Sequence, residues 1–580
     1  MTESEKTFDP KMSLAKGLFL GNIVEQNLFP FPELGSDEKE TIEMVVDSID
    51  RFMESKKEEL KRYDELGEQP EEYIQALKEL GLFGLIIPEE FGGFGLSSMG
   101  YARVLAQTSR YDGSTSLTIG AHSSIGMKGV LLFGNQSQKE AYLPKLATGE
   151  MIAAFCLTEA GSGSDAASIK TQAKKNSDGS WVLNGEKIWI TNGPFADFFT
   201  VFARTESEHG KLSAFLVERS WPGISTGPKE DKLGIRASGT CTVSFTDVQI
   251  PAENLLGTEG MGFLIAMAIL NNGRSGLGGG CVGSMKECIK LASAQSKDRK
   301  QFGRSISEFG LIKEKISQMT VDCFAAESVV NVVAHYIDND FEDYSTEAAI
   351  SKVFGTEALW RTVNESLQIS GGNGFMKEFP YERFLRDSRI NMIFEGTNEI
   401  LRLFIALSGM KLAGEYLKNI GKSGSAFFND PIKGFGVLGD YASKKFTRLT
   451  TLGRDRLSLV HESLDGDAAV YEHYTLEFAS AVEKVLKEHG KEIIGKQFLS
   501  KRVADICIDL VVGLSVLSRV THLIAQKGQD NCTKELAIAH IFTQQAKRRM
   551  KQNLRRLERN EDQLQAELSD SIVENGGVDF

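Results

Sequence analysis

The chain has little cysteine, no paired-cysteine motif, no surplus of positive charge and no apolar run long enough to cross a bilayer. Its 7 cysteines (Cys156, Cys241, Cys281, Cys288, Cys323, Cys507, Cys532) are scattered over 580 residues, with no CxxC and no Cys/His spacing that would hold zinc. That excludes a zinc-ribbon or disulfide framework; no metal site is expected, and a reducing compartment is. Lys and Arg number 66 against 79 Asp and Glu, a net charge of -13. Such a balance favours solubility and excludes a nucleic-acid footprint over the whole surface, so no nucleic-acid partner is expected. The opening stretch MTESEKTFDPKMSLAKGLFLGN is mixed in charge and lacks both a secretory apolar core and an Arg-rich amphipathic pattern. The expected location is the bacterial cytoplasm, peripheral at the inner membrane at most, or the mitochondrial matrix where a transit peptide has been removed. The most apolar helical stretch, Ile506 to Val520, contains Asp509 and Arg519 and is too short for a membrane span. No internal repeat of short period is present.

The length implies about three or four domains. After an N-terminal segment (1–36), residues 37–148 read as helical: Ile42, Val45, Val46, Ile49 and Phe52 recur at helical spacing, as do Tyr73, Leu77 and Leu80. Residues 149–256 change to short runs rich in Val, Ile, Thr and Phe, a small β domain. There Trp181-Val182-Leu183 and Lys187-Ile188-Trp189-Ile190-Thr191 flank Asn184-Gly185, a hairpin signal. Helical periodicity returns over 257–414 without β punctuation. A Gly-rich linker (415–440) then precedes a helical C-terminal extension (441–580). The expected fold class is mainly α with a central β domain and a C-terminal α-helical extension.

Two segments carry chemistry. In Phe394-Glu395-Gly396-Thr397-Asn398-Glu399-Ile400 a carboxylate follows Ile390, Met392, Ile393 and Phe394 and precedes a Gly-Thr turn. A bend facing an apolar cavity would raise its pKa and make it a base; a helix N-terminal or surface Glu has the same local sequence. Phe155-Cys156-Leu157-Thr158-Glu159-Ala160-Gly161-Ser162-Gly163-Ser164-Asp165 runs from an apolar strand into small residues, which let backbone amides approach a flat ring or a phosphate. A plain Gly/Ser connection reads the same way. No Gly-Lys-Ser/Thr follows, which argues against an ATP loop.

FCLTEAGSGSD, WITNG (189–193), DRKQFG (298–303), QISGGNGF (368–375) and FEGTNEI (394–400) occur in the order and approximate spacing of the acyl-CoA dehydrogenase family, which the chain resembles over about residues 40–410. ILNNGR (269–274), ISKVFGTEA (350–358), GFMKE (374–378) and the long C-terminal extension resemble its very-long-chain subgroup. The resemblance implies FAD as cofactor. Phe155, Leu157 and Thr158 would line the flavin, with Gly163 and Ser164 where flavin and CoA meet. Trp189 would pack on the isoalloxazine, with Ile190 beside it and Thr191 near N5. Arg299, Gln301 and Phe302, with Gln368, Ile369, Gly371 and Gly372, would hold pyrophosphate and adenosine, some of them in the neighbouring subunit's site, so a homodimer, or a tetramer, is expected. Thr397 and Asn398 would complete the FAD contacts. A stacking Trp and a bidentate Arg suit those tasks, although Trp189 also reads as a core Trp and Arg299 as part of a solvated charge run.

The same resemblance implies that Glu395 removes an α-proton while the β-hydrogen leaves as hydride to the flavin, giving a trans-2-enoyl-CoA. The Glu395 amide and a ribityl hydroxyl would form the oxyanion hole, and electron transfer flavoprotein would be the acceptor. Asn271, Arg274 and Gly396 would sit near substrate, with Arg274 supporting the Glu395 loop. In STSLTIGAHSSIG, Leu117, Gly120 and Ala121 would form an open floor to the acyl pocket and Ser123 is small as well, implying acyl chains of about C14 or longer. Small residues that merely let helices pack give the same string. Residues 441–459 interleave Phe446, Leu449, Leu452 and Leu457 with five cations, as peripheral contact with an anionic membrane requires; a basic helix packed on its own domain looks alike. Competing functions are an acyl-CoA oxidase using O2 and a scaffold for respiratory-complex assembly.

Overall fold

The computed structural model describes residues 13–205, 211–426 and 457–578. The chain divides into two compact units, Pro32–Asn398, and Met1–Phe31 together with Glu399–Phe580. Helix α1 (Leu14–Phe19) belongs to the second and is taken up with it below.

The larger unit begins with α2 (Ser36–Ser55), α3 (Lys57–Leu66), α4 (Glu71–Glu79), α5 (Ser98–Ser109), α6 (Gly113–Gly120), α7 (Lys128–Phe133) and α8 (Gln136–Thr148). Their starts and stops have local causes. Asp112 accepts the Thr115 amide at 2.7 Å to open α6. Asn135 and Gln138 form a reciprocal capping box on α8, and Gly149 ends it at φ 73, a left-handed cap. Between α6 and α7 the helix widens into a π-helical turn, Ala121–Gly126. Such turns re-aim side chains and concentrate at functional sites.

The β domain comprises β1 (Ala153–Cys156), β2 (Gln172–Lys175), β3 (Trp181–Thr191), β4 (Phe198–Thr205), β5 (Leu212–Glu218), β6 (Ile224–Thr226), β7 (Thr240–Ile250) and β8 (Leu255–Leu256). They form one sheet in the order β6-β7-β3-β2-β4-β5-β8, with β1 parallel to β4. Both faces are covered. Phe198 and Phe202 of β4 pack with Leu143 and Leu146 of α8, while the alternate residues Phe199, Val201 and Ala203 pack with Trp181 and Phe215. The hairpin expected at Asn184-Gly185 is absent. β3 runs straight through it against β7 with a bulge between Leu183 and Gly185. Asn184 exchanges two hydrogen bonds with Asp247 at 2.9 and 3.0 Å, so its side chain stabilises a bulge instead of a turn. A Cβ at Gly185 would lie 2.7 Å from the Thr171 Cα, which only glycine permits.

Helix α9 (Gly262–Asp298) packs on α5 through glycines: a Cβ at Gly279 or Gly283 would overlap the carbonyls of Ala102 and Ala106. It ends in a two-stranded hairpin, β9 (Lys300–Gln301) with β10 (Arg304–Ser305), a β interruption in a region expected to have none. Four helices follow in this unit: α10 (Gly310–Asp338), α11 (Ser345–Ser370), α12 (Gly372–Phe375) and α13 (Tyr381–Arg389).

The smaller unit is helical among the described residues, with α14 (Asn398–Ala426) from Glu399 on, α15 (Asp465–His489), α16 (Gln497–Lys527), α17 (Thr533–Glu558) and α18 (Asp562–Glu574). Residues of the N-terminal segment are part of its core. Leu14, Leu18 and Phe19 are buried, Phe19 meets Phe478 edge-on at 4.8 Å, and Ser518 donates to the Leu28 carbonyl. Helix α14 continues to Ala426, through the first part of the segment expected to be a linker, because a nucleated helix propagates at one hydrogen bond per residue. The rest of that linker and residues 441–456 of the basic stretch lie outside the described residues. No described helix is long and apolar enough to cross a membrane, no described cluster of His, Cys, Asp or Glu could hold a metal, and the seven cysteines are buried and outside any disulfide.

Candidate active site

Glu395 lies on a turn between α13 and α14 that leaves the usual backbone conformations, with φ 56 at Glu395 and 90 at Gly396. A non-glycine residue at positive φ costs free energy, and such strain persists only where surrounding contacts hold it. Here they do. Lys352 of α11 donates to the Gly396 carbonyl at 2.8 Å and to the Asn398 side-chain oxygen at 2.9 Å. Asn398 in turn donates to Thr356 at 3.1 Å and to Glu357 at 3.2 Å. Arg274 of α9 reaches the Glu395 carbonyl at 3.5 Å and also bonds Asn271, one turn earlier on the same helix.

The residue as a whole is half-buried, but its Oε2 is sealed from water with no hydrogen-bond partner. Burial raises the carboxyl pKa above the ordinary value, and the charges of Arg274 and Lys352 pull back against it. Burial acts on the two cations as well, lowering Arg274 to about 10 and Lys352 to about 8, with Glu395 opposing both shifts. A carboxylate with one oxygen sealed from water and unpartnered, its charged form favoured by two nearby cations, is equipped to accept a proton from a carbon acid.

A second group of predicted residues meets where β1 ends and β3 bulges. Phe155 packs on Phe202 at 5.0 Å, Leu157 is buried, and the Thr158 carbonyl accepts the Ile188 amide at 3.0 Å, tying the two strands together next to Trp189. The register shifts between Lys187 and Ile190, with Trp189 at φ 57 and 64% exposed. Ile190, by contrast, is buried and Thr191 half-buried. The loop is held from below by Lys187, fully buried, which donates to Glu159 at 2.8 Å and to the Leu157 carbonyl at 3.0 Å. Beyond it Gly163 and Ser164 are exposed, and nothing lies within 4 Å of a Cβ built on Gly163. A large indole held out on a strained bulge beside an open glycine loop fits a planar ring with a phosphate tail, as a flavin dinucleotide has.

The floor residues fall on one helical face. Leu117 and Gly120 are half-buried while Thr118 and Ile119 between them are buried, and Ala121 begins the π turn. The nearest atom to a Cβ on Gly120 is the Leu105 Cδ1, at 4.0 Å. The structure does not bring the last group to Glu395. Arg299, Gln301 and Phe302 (94% exposed) sit on the hairpin after α9, and Gln368, Gly371 and Gly372 are also exposed, Ile369 alone being buried. Along α9, the 25 residues from Arg274 to Arg299 span roughly 37 Å. Sequence reasoning missed Lys352, Thr356 and the Lys187–Glu159 pair. The available signal was a single Lys one turn from the small residues Ala348, Ala349 and Gly355 and from Thr356 on the same helix.

Comparison with known proteins agrees over the whole chain. The family models for the N-terminal, middle and C-terminal domains of acyl-CoA dehydrogenase match residues 39–150, 154–248 and 260–410, and that for the ACAD9/ACADV C-terminal domain matches 462–578. The very long-chain specific acyl-CoA dehydrogenase of Bos taurus mitochondria is 42% identical, over 100% of this chain and 90% of the relative. A crystal structure of an acyl-CoA dehydrogenase complexed with FAD from Bacillus anthracis has a TM-score of 0.80 at 33% identity, over 95% of this chain and 94% of that one. Butyryl-CoA dehydrogenase of Megasphaera elsdenii has a TM-score of 0.62 at 34% identity, over 65% of this chain and 99% of its own.

Proposed function

The chain belongs to the acyl-CoA dehydrogenase family, and we propose that it oxidises long- and very-long-chain acyl-CoA to trans-2-enoyl-CoA in fatty acid β-oxidation, with FAD as cofactor and electron transfer flavoprotein as acceptor. The observation that carries this reading is Glu395: a carboxylate on a strained turn, its Oε2 buried and unpartnered.

Bound FAD would supply the acceptor for the β-hydrogen, which leaves the substrate as hydride. Phe155, Leu157, Thr158, Gly163, Ser164, Trp189, Ile190, Thr191, Thr397 and Asn398 are the residues that would hold it. Everything else is the work of the chain. Glu395 accepts the α-proton on its carboxylate. Its backbone N–H meets the thioester oxygen, on which negative charge grows as that proton leaves. Asn271 and Arg274 keep the Glu395 turn oriented, and the apolar surroundings exclude water. The floor at Leu117, Gly120 and Ala121 admits a long alkyl tail.

The roughly 37 Å of α9 between Arg274 and the exposed Arg299–Phe302 hairpin supports a homodimer. That hairpin, with Gln368–Gly372, serves the cofactor of a second copy. Peripheral contact with an anionic bilayer through 441–459 is supported by the interleaved cations and apolar residues of that stretch. Flotation with liposomes, with and without the segment, tests it.

The deciding experiment is an anaerobic titration of the yellow protein with palmitoyl-, octanoyl- and isovaleryl-CoA, following flavin absorbance. Bleaching by palmitoyl-CoA, and not by the others, is expected. A flavin that no acyl-CoA reduces would favour the scaffold reading, and rapid reoxidation by air would favour an oxidase.

A further inference from the structure

We propose that Lys352 is a positioning residue for the proton-transfer step: its ammonium pins the turn that carries Glu395 and places a positive charge beside the carboxylate that favours its ionised form inside the protein. The inference rests on the proposed role of Glu395 and adds Lys352, beside Arg274, to the residues that set its basicity.

The geometry is specific. Lys352 is fully buried. A buried ammonium costs several kcal/mol of lost hydration unless other interactions offset it. Its two hydrogen bonds go to neutral oxygens, those of Gly396 and of the Asn398 side chain, and neither cancels its charge. A neutral donor would close the same turn at lower desolvation cost. What a cation adds is its field, and the charge that bears most strongly on Lys352 is that of Glu395.

The titratable and charged groups facing this pair can be named element by element. Arg274 and Cys281 come from α9, Glu357 from α11 and Tyr101 from α5. Arg274 is the second cation on Glu395, and it is engaged with Asn271 and the Glu395 carbonyl. Cys281 and Tyr101 are both driven towards their neutral forms by burial, so neither replaces Lys352 as a source of charge. Glu357 accepts from Asn398 and is one more link between α11 and the turn.

The sign follows. Glu395 works as a base only when ionised, so activity falls on the acid side of its pKa. Removing a nearby cation raises that pKa and moves the acid limb of the kcat/KM profile to higher pH, by about one unit, the lower end of what an adjacent charge does in a buried site. The test uses FAD-loaded full-length protein with Lys352→Met, Lys352→Gln and Lys352→Arg. Gln retains a donor for the Gly396 carbonyl without the charge, which keeps the question open to measurement even if Met disrupts the fold. Expected are flavin content near normal in Gln, an upward-shifted acid limb in Gln and Met, and a limb restored towards wild type in Arg. A second readout does not depend on turnover: the infrared band of the protonated Glu395 carboxyl, assigned by its loss in Glu395→Gln, should persist to higher pH in Lys352→Gln. Unchanged limbs and an unchanged band in Gln would overturn the proposal and leave Lys352 a structural clamp. If the wild-type flavin is not reduced by any acyl-CoA, the proposed function fails, while the infrared titration still reads the electrostatic coupling on its own.

Discussion

Arg274 approaches Glu395 at its main-chain oxygen, 3.5 Å away, and not at its carboxylate. The difference matters chemically. A guanidinium forked onto the carboxylate would occupy its lone pairs and hold the pKa far below neutrality. Attached to the carbonyl, it fixes the turn and lends its charge while Oε2 stays free of any partner. Glu395→Gln preserves the shape and removes the base. Flavin content should be unchanged, and the rate of flavin bleaching by palmitoyl-CoA should fall by at least about two to four orders of magnitude. Near-normal bleaching would move the base elsewhere.

The acyl floor gives a prediction of specificity. A Cβ on Gly120 meets nothing nearer than Leu105 Cδ1 at 4.0 Å, so a larger side chain there grows into open space instead of into the packed helices. Each buried methylene contributes about 0.8 kcal/mol, and eight of them offer roughly 6 kcal/mol to a C16 chain over a C8 chain. Gly120→Leu should therefore lower kcat/KM for palmitoyl-CoA by about a hundredfold or more, a part of that total, with a much smaller change for octanoyl-CoA. Equal losses on both substrates would show that the helix contact, not the tail, needs glycine.

Part of this was legible in the residues. Glu395 and the run Gly120-Ala121 stand out only through the family resemblance, since a surface carboxylate and plain helix packing give the same local strings. Lys352 does not, because one Lys in a helical string looks the same on a wet face as on a buried one until the partner helix is placed. Asn184-Gly185 misled for the opposite reason: a strong local turn signal gave way to β7, whose Asp247 satisfies the Asn184 side chain and keeps the strand running. Residues 13–31 carry no local sign of where they belong. Their bond from Ser518 to Leu28 spans 490 positions, a pairing fixed only by the finished core.

The Lys187–Glu159 pair predicts a pH dependence. Burial alone would raise the Glu159 pKa, but hydrogen bonds from Lys187, Thr171 and the Lys170 and Thr171 amides outweigh it and hold the carboxylate at about 2, below an ordinary value of 4.5. A depressed folded-state pKa means that the stabilisation is fully present above about pH 4.5 and drains away as pH falls towards 2. Glu159→Gln leaves the buried Lys187 without its counter-ion and should cost about 3–5 kcal/mol at neutral pH. It should also flatten the acid side of the stability curve and weaken flavin retention, since the pair underlies Trp189. Denaturant melts from pH 7 to pH 3, with flavin release followed in parallel, check both; an unaltered acid slope would show that other carboxylates carry it.

Two glycines of α14, five positions apart, should respond to alanine with opposite signs. A Cβ at Gly409 would overlap the Phe19 ring, which is itself seated edge-on against Phe478 in the core of the smaller unit. The ring has no slack, so Gly409→Ala should destabilise by about 1–3 kcal/mol through overpacking, and Phe19→Ala by about 3–5 kcal/mol through the cavity it leaves. Nothing lies within 4 Å of a Cβ on Gly414, so Gly414→Ala meets no clash and gains helix propensity, stabilising by about 0.5–1 kcal/mol. Because the affected contacts join residues 14–31 to the C-terminal helices, hydrogen exchange should report the loss in α1, α15 and α16. A Gly409→Ala protein as stable as wild type, with unaltered protection in those helices, would mean that the N-terminal segment is not docked there in solution.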